Sequence, residues 1–177
     1  MLVRERFSLN AETTAQILSL TPKFGYNGFG EAVFYRTYSR IKSDGGQETW
    51  NDVVIRVMNG VMSIRKDHYL RNGLTWDERF WQDYAGKMAV SLFYMEWMPP
   101  GRGLWSMGTD FVYQRGSMSL YNCAYTEVHN DVADACAWIM DCLMNGVGVG
   151  FGPCRDDSLK MSTVMGRTTV DITIPDS

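Results

Sequence analysis

Apolar side chains recur at Trp50, Val53, Val54, Val57, Met58, Val61 and Met62, every three or four residues. That spacing puts them on one helical face and predicts a helix from about Thr49 to Leu70, with Asn72-Gly73 as its stop. A second broad face, Phe80, Trp81, Tyr84, Ala85, Met88, Leu92 and Met95, predicts another helix. It is expected to open in a capping box at Thr75-Trp76-Asp77-Glu78 and to end at Pro99-Pro100. The two faces are expected to pack on each other. Upstream, Asn10 is placed to cap a short helix to about Leu20, ended by Thr21-Pro22. The alternation in Phe34–Ile41 favours a short strand or an extended arm.

Beyond Pro99 the pattern changes. Pro99 to Thr109 reads as a Pro/Gly-rich turn feeding a strand-like run from Ser117 to Val128, in which Tyr, Thr and Val flank Cys123. A helix follows, capped by Asn130, with Asp131 and Asp134 in its positively polarised first turn and Asn145-Gly146 as its end. A glycine-rich run, Gly146 to Gly152, comes next. Strand, helix, strand is the unit from which parallel sheets and barrels are built. The organisation expected is a mainly helical region, 1–98, and a strand-bearing region, 99–177, with fold class α/β. No internal repeat or low-complexity tract is visible, and the linker-like Ser43 to Gln47 is short enough for a surface turn.

Composition narrows the function. With 45% hydrophobic and 13% aromatic residues, the 177-residue chain can build a substantial core. Its six Trp and twelve Met exceed surface needs, so some apolar surface is expected to face another part of a larger protein. A formal charge of -3 argues against a nucleic-acid surface. No run approaches the roughly 20 apolar residues of a membrane span, and the charged start does not open a signal peptide, so a cytoplasmic protein is expected. Cys123, Cys136, Cys142 and Cys154 contain no C-x-x-C pair and have only His68 and His129 as companions, so no metal site is expected. In a reducing compartment, any Cys pairing is expected to be catalytic and transient.

Cys123 is the best catalytic candidate, because a strand would hold its thiol rigidly; the plain alternative is a buried Cys acting as a small hydrophobe. Cys136 and Cys142 lie six apart on the expected crossover helix, on different faces, and read as packing residues. Cys154, after Pro153, reads as incidental. Gly146 to Gly152 do not form a dinucleotide fingerprint, which needs a strand before the glycines and a helix after them. His68 beside Asp67 at a helix end favours the C-terminal dipole and needs no catalytic role.

PPGRGLWSMGT at 99–109, NCAYTE at 122–127 and LMNGVGVGF at 143–151, in this order and spacing, resemble the start of the catalytic barrel of adenosylcobalamin-dependent (class II) ribonucleoside-triphosphate reductases, in their monomeric branch. The resemblance begins near Pro22 and covers most of the chain. It implies an N-terminal segment of a longer enzyme: a helical region followed by the first strands of a ten-stranded α/β barrel. Such an enzyme replaces the ribonucleotide 2'-hydroxyl with hydrogen by thiyl-radical chemistry, and two active-site thiols become a disulfide. Cys123 matches the first of them; the second redox cysteine and the radical cysteine are expected downstream.

The resemblance further implies a ribonucleotide substrate, adenosylcobalamin bound largely outside this chain, a deoxynucleotide effector, a thioredoxin-like reductant and the missing C-terminal portion of the reductase as partners. Asn122 and Gly148 become substrate-binding candidates, Gly148 because a Cβ there would meet ribose or base; close strand packing is the other reading. Ser106 and Met107 either offer N–H groups or a hydroxyl to substrate phosphate or form a structural turn. Arg155 and Lys160 either sense the effector or lie on a solvated charged turn. Two rivals stand beside this reading: a class I reductase large-subunit fragment and a non-catalytic, split-gene assembly module.

Overall fold

The computed structural model describes residues 3–129 and 132–153. These residues include seven α-helices and one parallel strand pair: α1 Ala11–Ser19, α2 Phe29–Thr37, α3 Trp50–Arg71, α4 Glu78–Phe93, α5 Gly101–Ser106, α6 Asp110–Arg115, β1 Cys123–Glu127, α7 Val132–Met144 and β2 Gly148–Gly152. A 3-10 turn, Gly116–Leu120, joins α6 to β1. None of the described helices is long and apolar enough to cross a membrane.

The axis of the helical layer is α3. Its start is a capping box in which Thr49 Oγ1 accepts from the Asp52 N–H at 3.2 Å and Asp52 Oδ2 accepts from the Thr49 N–H at 2.9 Å. Val53, Val54, Val57, Met58 and Met62 are buried against Ala85, Ala89 and Leu92 of α4, as the two stripes require. Trp50 is buried too, and its indole N–H donates to Phe93 O at 2.9 Å, tying the start of α3 to the end of α4.

A polar stripe on α3 has a separate task. Asn59 Oδ1 accepts from the Leu9 N–H at 2.8 Å, Ser63 Oγ from the Phe7 N–H at 2.9 Å, and Asp67 Oδ1 from the N–H groups of Arg4 at 2.8 Å and Glu5 at 3.2 Å. Spaced four apart, these side chains hold the extended N-terminal segment on the helix and satisfy donors that no strand pairs. Arg71 closes on Asp67 at 2.8 Å. Burial opposes charge on Asp67, but the Arg4 and Glu5 N–H groups and the Arg71 guanidinium outweigh it and hold the carboxyl below its ordinary value of 3.8.

Several local expectations are corrected. Phe34–Ile41 is not extended: α2 covers its first half, with Phe34 stacked on Phe24 at 5.3 Å and edge-on to Trp50 at 5.5 Å. The alternation there was too short to outweigh a helical face that begins upstream at Phe29. The cap of α4 is Asp77, whose carboxylate accepts from the Phe80 N–H at 3.0 Å, and Trp76 stacks on Trp81 at 5.2 Å instead of entering the helix. That helix stops at Phe93, before the prolines, and Met95 takes φ +59°.

Pro99 to Thr109 holds the helix α5 in place of a plain turn, and β1 begins only at Cys123. Asn130 and Asp131, the expected cap and first-turn residues of α7, lie outside the described residues, as does everything from Cys154 onward. The strand–helix–strand unit itself is present: β1 and β2 pair in parallel with α7 between them.

Candidate functional site

Cys123 is the first residue of β1 and Gly148 the first of β2, and they are partners in the parallel ladder. The register continues through Tyr125 opposite Gly150 and Glu127 opposite Gly152. Because strand side chains alternate, Cys123, Tyr125 and Glu127 share one face, and opposite each stands a glycine. This is the open face: these three are exposed, whereas Ala124 and Thr126 are half-buried. A Cβ on Gly150 would sit 3.4 Å from Tyr125 Cδ2, so the tyrosine ring lies over the bare backbone of β2.

The thiol of Cys123 is free and exposed, beside a pocket of about 360 Å³ lined by Met118, Tyr121, Tyr125, Trp138, Cys142 and Val147. Cys142 is a buried free thiol of the same lining. Cys136, expected to pack, is instead exposed on α7. Among the described residues no group of three or more His, Cys, Asp and Glu side chains could hold a metal ion.

Asn122 precedes the strand; its carbonyl accepts from the Gly148 N–H at 3.0 Å, and its exposed side chain borders a separate, open hollow of about 380 Å³ with Tyr38, Arg102 and Trp105. Ser106 is fully buried and its hydroxyl donates to Arg102 O at 2.8 Å. The Met107 N–H donates to Gly103 O, and its carbonyl accepts from Arg56. These groups are thus committed within the helical layer, and the structure does not bring them to the Cys123–Gly148 face. Arg155 and Lys160 lie outside the described residues.

Two arginines that the sequence did not single out organise the approach to the strands. Arg56, on α3, forms a bidentate pair with Glu48 at 2.7 and 2.9 Å and donates to Leu104 O and Met107 O at 2.9 and 2.6 Å, closing the end of α5. Its backbone also meets Gly108, where an added Cβ would lie 2.2 Å from Arg56 O, while one on Gly60 would lie 2.4 Å from Gly108 N. Only two glycines admit this crossing. Arg102, on α5, donates to Asn145 O and Gly146 O at the end of α7. A cation half-buried in a helical face, as Arg56 is, was the available signal, but its partners are 48 and 51 residues away.

The model of the ribonucleotide reductase alpha domain matches residues 9–109, more than half of the chain, and the chain belongs to that family. The adenosylcobalamin-dependent ribonucleoside-triphosphate reductase of Euglena gracilis is 36% identical over 152 residues, 83% of this chain and 21% of that protein. A probable enzyme of the same name from Dictyostelium discoideum is 34% identical over 159 residues, 88% of this chain and 21% of that one. Among solved structures, a B12-dependent (class II) ribonucleotide reductase superposes with a TM-score of 0.74 at 26% identity, covering 88% of this chain and 24% of that one. The chain spans about a fifth of the length of the two curated relatives.

Proposed function

We propose that this chain is the N-terminal part of an adenosylcobalamin-dependent ribonucleoside-triphosphate reductase, and that Cys123 is one of the two thiols that reduce the ribonucleotide. The observation that carries this reading is the pairing of Cys123 with Gly148, a thiol exposed at the head of one strand with no side chain opposite. In each turnover the 2'-hydroxyl leaves as water, hydrogen takes its place, and two thiols release two electrons and two protons as they join in a disulfide. The second thiol belongs to the remainder of the polypeptide, and a thioredoxin-like dithiol resets the pair by exchange. In this reading, regions 1–98 and 99–177 are a helical flank and the opening of a ten-stranded barrel in a cytoplasmic enzyme. Gly148 and Asn122 contact the substrate, and Arg155 and Lys160 belong to the effector site.

Adenosylcobalamin does not fit the pocket beside Cys123. The pocket beside Cys123, about 360 Å³, is near the lower end of the range of about 300–1,000 Å³ for drug-sized ligands, far below a corrin ring with its nucleotide tail. The relatives' names favour this class over a class I large subunit, whose radical comes from a separate metal subunit. Complementing the chain with the remainder of a reductase, with and without adenosylcobalamin, tests the reading: deoxynucleotide formation that requires both supports it. Formation that ignores the cofactor, or an inert complex that binds nucleotide normally, contradicts it.

A further inference from the structure

Arg102 is the second residue of α5, in the glycine-rich motif that follows the prolines, and the proposed chemistry gives it no role. Its backbone is anchored in the helical layer: its carbonyl accepts the Ser106 hydroxyl at 2.8 Å, and the end of α5 is held by Arg56 through Leu104 O and Met107 O. Its guanidinium crosses to the strand unit. Nη1 donates to Asn145 O at 3.4 Å and Nη2 to Gly146 O.

The end of α7 explains why a cation belongs there. The Gly146 N–H donates to Leu143 O at 2.8 Å and the Val147 N–H to Cys142 O at 3.0 Å, with Gly146 at φ +75°, which is a Schellman ending. That motif satisfies the Cys142 and Leu143 carbonyls but leaves those of Asn145 and Gly146 pointing outward at the negative end of the helix dipole. Arg102 takes both. A Cβ on Gly146 would come within 2.7 Å of Nη2, so the guanidinium is seated against bare backbone. Two residues later the chain reaches Gly148, whose N–H donates to Asn122 O, directly before Cys123.

We infer that Arg102 is a positioning residue: it fixes the turn that launches β2 and thereby sets where Gly148 stands against Cys123, coupling the thiol face to the rigid helical layer. Its importance for turnover rests on the reductase reading above, but its effect on the strand pair does not. The test is made on the 177-residue chain by hydrogen exchange at Gly148 and by iodoacetamide alkylation of Cys123, with exposed Cys136 as the internal reference. Arg102→Ala is expected to speed Gly148 exchange roughly tenfold or more, the loss of a charge-assisted hydrogen bond. It also changes the Cys123 to Cys136 alkylation ratio while α3 amides keep their protection. Arg102→Lys, which keeps the charge but not the fork, restores at least half of the effect on a logarithmic scale.

If Arg102→Ala does not fold, Arg102→Gln, which keeps the stem and loses the charge, is read in the same way. An unchanged Gly148 rate and alkylation ratio in the folded variant overturns the inference. So does a uniform loss of protection that includes α3, which would make Arg102 a general stabiliser. In the complemented reductase Arg102→Lys lowers kcat with KM unchanged. An inactive wild-type complex would count against the reductase reading alone, since exchange and alkylation are read without turnover.

Discussion

Cys123 and Gly148 are ladder partners at the first positions of two parallel strands, and a single hydrogen bond, Gly148 N–H to Asn122 O at 3.0 Å, closes the ladder at that end. Among the described residues no close contact requires that Gly148 lack a side chain. A Cβ on Gly148 would approach nothing nearer than Asn122 O at 3.5 Å, an ordinary contact.

Gly148→Ala is accordingly expected to leave the fold intact, and to stabilise it by up to about 0.5–1 kcal/mol through lower unfolded-state entropy. In the complemented reductase the same change raises KM for ribonucleotide, because the methyl group enters the Cys123 face. Thermal denaturation and substrate titration check the two halves. A destabilised variant with unaltered KM would assign Gly148 to strand packing.

Gly60→Ala has the opposite profile. Its Cβ would lie 2.4 and 2.5 Å from the backbone N and Cα of Gly108, atoms that cannot swing aside. Overpacking of this kind costs about 1–3 kcal/mol, and parting α3 from the α5–α6 turn is expected at the upper end of that range. Denaturant titration measures it; a loss below the lower bound would mean that the two segments separate easily.

The N-terminal clasp gives a pH dependence of known sign. The Asp67 pKa is depressed in the folded chain, so the unfolded state takes up protons first as pH falls. The stability contributed by Asp67 is present above its unfolded value of about 3.8 and is lost as pH falls through the lower folded value. Asp67→Asn is expected to be less stable at pH 7 and to lose less on acidification over that window. Parallel acid titrations of the two proteins followed by tryptophan fluorescence check this, and identical pH profiles would refute it.

Much of the helical layer was legible because its signals are long or local. The stripe of α3 runs for three turns, Asn10 is a cap read within four residues, and the strand–helix–strand order follows from Cys123 to Gly152. The misreadings have a common physical cause. α5 is six residues containing two glycines, and its end is closed by Arg56 from 48 residues away; no local window contains that stabilisation. The clasp of Asn59, Ser63 and Asp67 on residues 4–9 is likewise invisible, since its partners are backbone donors 50 to 63 residues distant. Cys123 is a candidate through its motif, whereas the commitment of Ser106 and Met107 to the helical layer was not legible, because a Gly-flanked turn and a buried helix end look alike in sequence.

Amide exchange is expected to follow the same division. α3 and α4 bury Val53, Val57, Ala85 and Leu92 completely, while the described part of the sheet is two five-residue strands with an exposed face. Protection of α3 and α4 amides therefore exceeds that of 123–127 and 148–152. Equal protection would mean that the strand pair is as firmly held as the helical core.

The most direct measurement is steady-state deoxynucleotide formation by Cys123→Ser in the complemented reductase, with dithiol supplied and nucleotide binding measured in parallel. Serine is nearly isosteric, but its hydroxyl cannot close a disulfide, so the account requires sustained turnover to disappear while binding persists. Cys136→Ser, altering an exposed thiol of α7, is expected to turn over normally. Sustained turnover by Cys123→Ser, or its loss in a folded Cys136→Ser variant, would contradict the assignment of Cys123 as the reducing thiol.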